Sequence, residues 1–123
     1  MTMYFQFHES RQPAATWAPT VDVCERADEI VVFVEMPGVE RSDVQVSWNE
    51  GVLTISGIKR QRPSNRGVAN YLCVERAYGQ FRREITIRIP VNAEGAKAEL
   101  KNGLMKISIP KRTEPVVTII PVL

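Results

Sequence analysis

Histidine and cysteine are scarce in this chain, with one His and two Cys among 123 residues. The single histidine, His8, lies in an irregular stretch near the N-terminus and reads as an exposed side chain, so no catalytic triad is built on it. Cys24 and Cys73 are far apart, with no second cysteine or histidine at ligand spacing, which excludes a zinc-binding pattern and leaves two free thiols in a reducing compartment. Neither has a basic neighbour that would mark an activated thiolate, so a hydrolase using Cys73 or His8 finds no support. Gly51, Gly57, Gly79 and Gly103 are isolated turn glycines rather than a loop that cradles phosphates, and nucleotide binding is rejected. No cofactor and no metal are expected. The sequence also lacks an apolar run of spanning length and a cationic segment followed by an apolar one, so neither membrane insertion nor export is expected and the protein is assigned to the cytoplasm. Charge of one sign is missing too: 16 basic against 14 acidic residues give a net charge of +2, too weak a field to recruit nucleic acid or an anionic membrane. A small basic cluster at Lys59, Arg60 and Arg62, beside Pro63, Ser64, Asn65 and Gly67, reads as a solvated loop.

What is present is a soluble globular composition, 44% hydrophobic and 24% charged, in a length that suits one domain. Residues 1–17 form an arm with Tyr4, Phe5, Phe7 and Trp17 and no clear period. Residues 18–112 are short apolar runs separated by turn residues, the pattern of an antiparallel sandwich with no long amphipathic helix. Val21 and Val23 share one face of a first strand. Ile30, Val32, Val34 and Met36 share a face of the next, while Val31 and Phe33 on the other face also call for cover, for which the arm is a candidate. Pro37-Gly38 supplies a type II turn. Val44, Val46 and Trp48, then Gly51, then Leu53 and Ile55, spell a hairpin, followed by a polar basic loop over residues 57–67. Residues 71–76 read as a short strand making an excursion from the main sheet. In the strand expected over residues 81–89, Arg83 falls in register with Phe81, Ile85, Ile87 and Ile89, and a charge on an apolar face needs a partner. Asn102-Gly103 is the strongest hairpin signal in the chain, with Met105, Ile107 and Ile109 pointing to the core. Residues 113–123 end in an apolar stretch that contains Pro121 and read as a tail.

Several of these segments, in order, resemble the small heat shock protein family. Trp17-Ala18-Pro19 before Val21-Asp22-Val23 resembles the family's entry into its domain, and Met36-Pro37-Gly38-Val39 resembles its Leu-Pro-Gly-Val turn. Gly51-Val52-Leu53-Thr54-Ile55-Ser56-Gly57 and Glu75-Arg76-Ala77-Tyr78-Gly79-Gln80-Phe81-Arg82-Arg83 are similar to the next two signatures. The run from Ala98 through Asn102-Gly103-Leu104 to Pro110-Lys111 resembles the most diagnostic one, and Ile120-Pro121-Val122 resembles the tail anchor.

The resemblance implies an all-β, antiparallel immunoglobulin-like β-sandwich, the α-crystallin domain, over residues 18–112, with a short N-terminal arm (1–17) and an extended C-terminal tail (113–123). It implies a non-enzymatic, ATP-independent holdase for unfolding client proteins, built from homodimers that assemble into larger homo-oligomers. The dimer interface it implies comprises Tyr71, Leu72, Cys73, Val74, Glu75 and Arg76 against the partner's strand near Val21 and Val23, with Arg83 as an ion-pairing residue nearby. The tail anchor would be Ile120 and Val122, docking in a groove between residues 44–49 and 104–109 that includes Val46, Ile107 and Ile109; Phe5, Phe7 and Trp17 would contact clients. The alternative is a CS-type sandwich co-chaperone or adaptor that shares the architecture without self-assembly.

Overall fold

Alternating apolar residues become strands wherever turn residues interrupt the run. The computed structural model describes residues 5–6, 15–61, 71–112 and 118–123. Among them form β1 (Phe5–Gln6), β2 (Val21–Glu25), β3 (Glu29–Glu35), β4 (Val44–Asn49), β5 (Val52–Lys59), β6 (Gly79–Thr86), β7 (Lys97–Lys101) and β8 (Leu104–Pro110). Every pairing between these strands is antiparallel, and they make two four-stranded sheets, ordered β1-β6-β5-β4 and β2-β3-β8-β7. The all-β sandwich expected from the sequence is the fold.

The two inner faces carry the core. Ile30, Val32 and Val34 of β3 and Met105, Ile107 and Ile109 of β8 meet Leu53 and Ile55 of β5 and Phe81 and Ile85 of β6, all buried. Each such side chain taken out of water contributes about 1.5–3 kcal/mol before the entropy of ordering is set against it. Val21, Val23, Val44, Val46 and Trp48 are half-buried and close the sides of the sandwich. Val31, on the outer face of β3, is fully buried as well, while Phe33 on the same face is half-buried.

Turn chemistry sets the register. Gly38 sits at φ +84° and the Val39 amide donates to the Met36 carbonyl at 3.2 Å, which makes residues 36–39 the type II turn that Pro37-Gly38 predicts. Asn102 and Gly103 both take positive φ, 52° and 77°, the left-handed pair that a two-residue β7–β8 hairpin requires.

Four expectations are corrected. The strand expected to run to residue 89 ends at Thr86, because its neighbour β5 begins opposite it at Val52; the Ile87 amide donates instead to the Gly51 carbonyl. The loop expected from residue 57 begins later, since Gly57, Ile58 and Lys59 all belong to β5. Gly57 is there for closeness: a Cβ on it would lie 2.0 Å from the Asp43 carbonyl oxygen and 2.8 Å from the Phe81 ring, which only glycine tolerates. The arm is not wholly without structure, because Phe5–Gln6 pairs with β6 opposite Ile85 and Glu84. Residues 71–76 form no strand in the single chain.

Candidate functional site

β2 is an edge of its sheet, and the stretch that leads into β6 lies exposed. Tyr71, Leu72, Cys73, Val74, Glu75 and Arg76 are all exposed, Leu72 completely so at 101%. A backbone that makes no ladder and carries Tyr, Leu and Val into solvent offers main-chain groups and apolar side chains together. Val21 and Val23 face inward, so β2 presents its backbone edge rather than these side chains.

The second feature is a groove where the edge strands β4 and β7 border one opening of the sandwich. A cavity of about 250 Å³ brings together Val46, Trp48 and Leu53 with Ala96 and Ala98 across from them and Ile107 and Ile109 at its floor. A second cavity of about 440 Å³ shares Val46 and Ala98 and continues past Val44, Leu100 and Met105. The three groove residues expected from the sequence, Val46, Ile107 and Ile109, therefore line one cavity. Its far wall is β7 rather than β8, because β7 pairs outside β8.

The tail supplies an apolar group of matching character. Ile120 and Val122 are 79% and 98% exposed, and Ile119 and Leu123 are exposed beside them, so residues 119–123 do not fold back onto their own domain.

Arg83 sits where alternation puts it, on the inner face between Phe81 and Ile85, opposite Ile55 of β5. Its Nε is buried, and burial pushes its guanidinium below the ordinary arginine range. Arg82, facing the other way, pairs with Glu84 through an Nη2–Oε1 contact of 2.8 Å on the outer surface. Of the residues expected to contact clients, Phe5 lies in β1, Phe7 is outside the described residues, and Trp17 is half-buried. The Trp17 ring centroid lies 5.0 Å from that of Phe81, and its indole N–H donates to the Gly79 carbonyl at 3.2 Å. Trp17 is thus tied to the sandwich.

Lys59 and Arg60, read from the sequence as part of a solvated loop, have partners that sequence reasoning did not find. Lys59 is buried, with its ammonium 6.0 Å from the Trp17 ring centroid and 5.5 Å from that of Tyr78. The β5 alternation held the signal, since Leu53, Ile55, Gly57 and Lys59 all fall on one face. Arg60 makes a two-pronged contact with Asp43, 3.0 Å from Nε to Oδ2 and 3.2 Å from Nη2 to Oδ1. Arg62 lies outside the described residues. Among the described residues no group of three or more His, Cys, Asp or Glu could hold a metal ion, and no helix is long and apolar enough to cross a membrane.

Two antiparallel four-stranded sheets, an apolar groove between edge strands and an unburied apolar tail define a β-sandwich of the α-crystallin type. The model of the Hsp20/alpha crystallin family matches residues 22–122, and the chain belongs to that family. Heat shock protein 16 of Schizosaccharomyces pombe is 40% identical over 95 residues, covering 76% of this chain and 66% of that protein. The solved structure of heat shock protein 16.0 from the same yeast superposes with a TM-score of 0.77 at 34% identity, covering 93% of this chain and 80% of that one. A small heat-shock protein from Xylella fastidiosa, described as having a distinct high order structure, gives a TM-score of 0.72 at 31% identity, covering 88% of this chain and 98% of that one. The chain spans about two thirds of the length of the yeast heat shock protein 16. Small heat shock proteins are non-enzymatic chaperones, so membership supports a chaperone role.

Proposed function

We propose that this protein is an ATP-independent holdase that binds exposed apolar segments of unfolding proteins and keeps them from aggregating. The observation that carries the reading is apolar surface left outside a complete core: Tyr71, Leu72 and Val74 before β6, and Ile119, Ile120, Val122 and Leu123 in the tail. A sandwich that already has its core gains no stability from these residues alone, so their use lies in contacts with other chains.

Two of those contacts build the assembly. Residues 71–76 add as a strand to the β2 edge of a second copy, giving main-chain groups on both sides a ladder to join. Ile120 and Val122 stand on one side of an extended segment, with Pro121 between them favouring the extended form, and dock in the groove of a neighbouring dimer. Val46, Ile107 and Ile109 supply its apolar lining. Each tail contact is weak and reversible, and several per particle hold it together by avidity. As subunits exchange, uncovered grooves and edges take up client segments instead.

The test is light scattering from an aggregation-prone client heated with increasing ratios of this protein in ATP-free buffer. Aggregation is expected to fall as the ratio rises. Unchanged turbidity at several-fold molar excess over the client rules out the holdase.

A further inference from the structure

Among the described residues Lys59 is the one buried charged side chain, only 9% exposed, and the alternation of β5 puts it there. Burying an ammonium without a counter-ion is unfavourable, so its neighbours matter. They are aromatic faces, the rings of Trp17 and Tyr78 at 6.0 and 5.5 Å, while its Cε runs close past Gly38. A second cation is held the same way: the Arg76 guanidinium lies 5.2 Å from the Tyr78 ring. Stacking on a ring leaves the N–H edge of a guanidinium open for a planar or tetrahedral oxyanion. No carboxylate among the described residues pairs with either cation. Arg60, close by, has its charge paired with Asp43 through Nε and Nη2, and Glu40 has a partner of its own.

Lys59, Arg60, Arg76 and Tyr78 line a single open cleft of about 390 Å³ together with Gly38, Val39 and Glu40. We propose that this cleft is a binding site for a phosphoryl group, with Lys59 and Arg76 as the ligating cations. The charge favours phosphate over carboxylate: two cations that no described carboxylate pairs with directly match a dianion, whereas a single carboxylate leaves one of them without a partner. The site is made of side chains at the end of β5 and in the stretch just before β6, and it needs no glycine-rich loop. All of its lining side chains come from one chain, and Arg76 ends the 71–76 segment proposed to pair with a second copy, so the site borders that interface.

Trp17 is a built-in reporter, because an anion that draws the Lys59 ammonium off its ring changes its emission. Replacing Trp48 by Phe leaves it as the single tryptophan of the two in the chain. The full chain carrying W48F is titrated at about pH 8, where a phosphate is a dianion, with inorganic phosphate and, separately, O-phosphoserine. Sodium chloride and sodium acetate at matched ionic strength serve as the comparison. The expected result is a saturable change with phosphate, half-complete at about 1 mM, and none with chloride or acetate. Saturation by O-phosphoserine as well assigns the site to esterified phosphoryl groups, and saturation by inorganic phosphate alone assigns it to the free ion. Lys59→Met and Arg76→Gln should each weaken binding about tenfold or more. Because Lys59 is buried, its variant is first checked for native circular dichroism. Arg76 is exposed, so its variant leaves the core alone, and because it ends the segment proposed to pair with a second copy, an unchanged particle mass by light scattering is required of it first. A response shared by chloride and acetate, or undiminished binding in Arg76→Gln, overturns the proposal.

Discussion

The interior of the sandwich and its periphery are built from the same side chains and do opposite things with them. Between the sheets, Ile30, Ile55, Ile85, Ile107 and Ile109 are buried to within a few per cent. Outside, Ile119, Ile120, Val122, Leu72 and Val74 stand in water. Hydrophobicity alone does not separate the two sets. Backbone context does: each interior residue belongs to a strand paired on at least one side, so its neighbours arrive with it, whereas each peripheral residue lies in a segment whose backbone has no ladder within the chain. The interior is therefore complete in one chain, and the periphery awaits a second.

The largest effect expected from breaking this contrast lies inside. Ile55→Ala opens a cavity between Phe81, Ile85 and the facing sheet and should destabilise the domain by about 2–5 kcal/mol, read from the denaturant midpoint of unfolding. A loss under 1 kcal/mol would mean that this part of the core is not close-packed. The same truncation outside should leave folding alone and change the particle. Ile120→Ala with Val122→Ala is expected to keep the native circular dichroism and unfolding midpoint while the mass by light scattering falls to that of a dimer. An unchanged mass, with the original protein larger than a dimer, would remove the tail as the assembly contact. A monomer in both proteins would favour the adaptor reading instead.

Most of the interior was legible before any coordinates, because a strand with one buried face alternates with period two and Pro37-Gly38 and Asn102-Gly103 end strands by backbone chemistry. Arg83 was legible for the same reason. What was not legible depends on contacts distant in sequence. Nothing local distinguishes a glycine that starts a loop from Gly57, which lets β5 pass against Asp43 and Phe81. Its misreading hid Lys59 one pleat further on. Trp17 looked like part of a free arm because its partners, Phe81 and the Gly79 carbonyl, lie more than sixty residues away. Val46, Ile107 and Ile109 came from the family resemblance rather than from alternation, and the cavity they line has an outer wall that neither gave, since strand order within a sheet is decided by pairing.

The smallest effect, and the one that most sharpens the contrast, concerns the two cysteines. Both are exposed: Cys24 on the edge strand β2, Cys73 in the middle of the strandless 71–76 segment. Val21 and Val23 point inward, so alternation turns Cys24 to the outer face of its sheet. If residues 71–76 of a second copy extend that sheet with Leu72 and Val74 continuing the apolar inner face, Cys73 must fall on the outer face, the same one as Cys24. A register shift by one residue would instead turn Cys73 inward and expose both apolar side chains, which a partner strand has every reason to avoid. Neighbouring Cα atoms on paired strands lie about 4.5–5.5 Å apart, inside the window of about 4.4–6.8 Å that a disulfide spans. Mild oxidation should therefore convert the protein into covalent dimers on a non-reducing gel, with folding unchanged. Cys24→Ser and Cys73→Ser should each abolish the cross-link. Dimers that persist in either single variant would show a like-with-like cross-link, and the proposed pairing of this segment with β2 would lose its support.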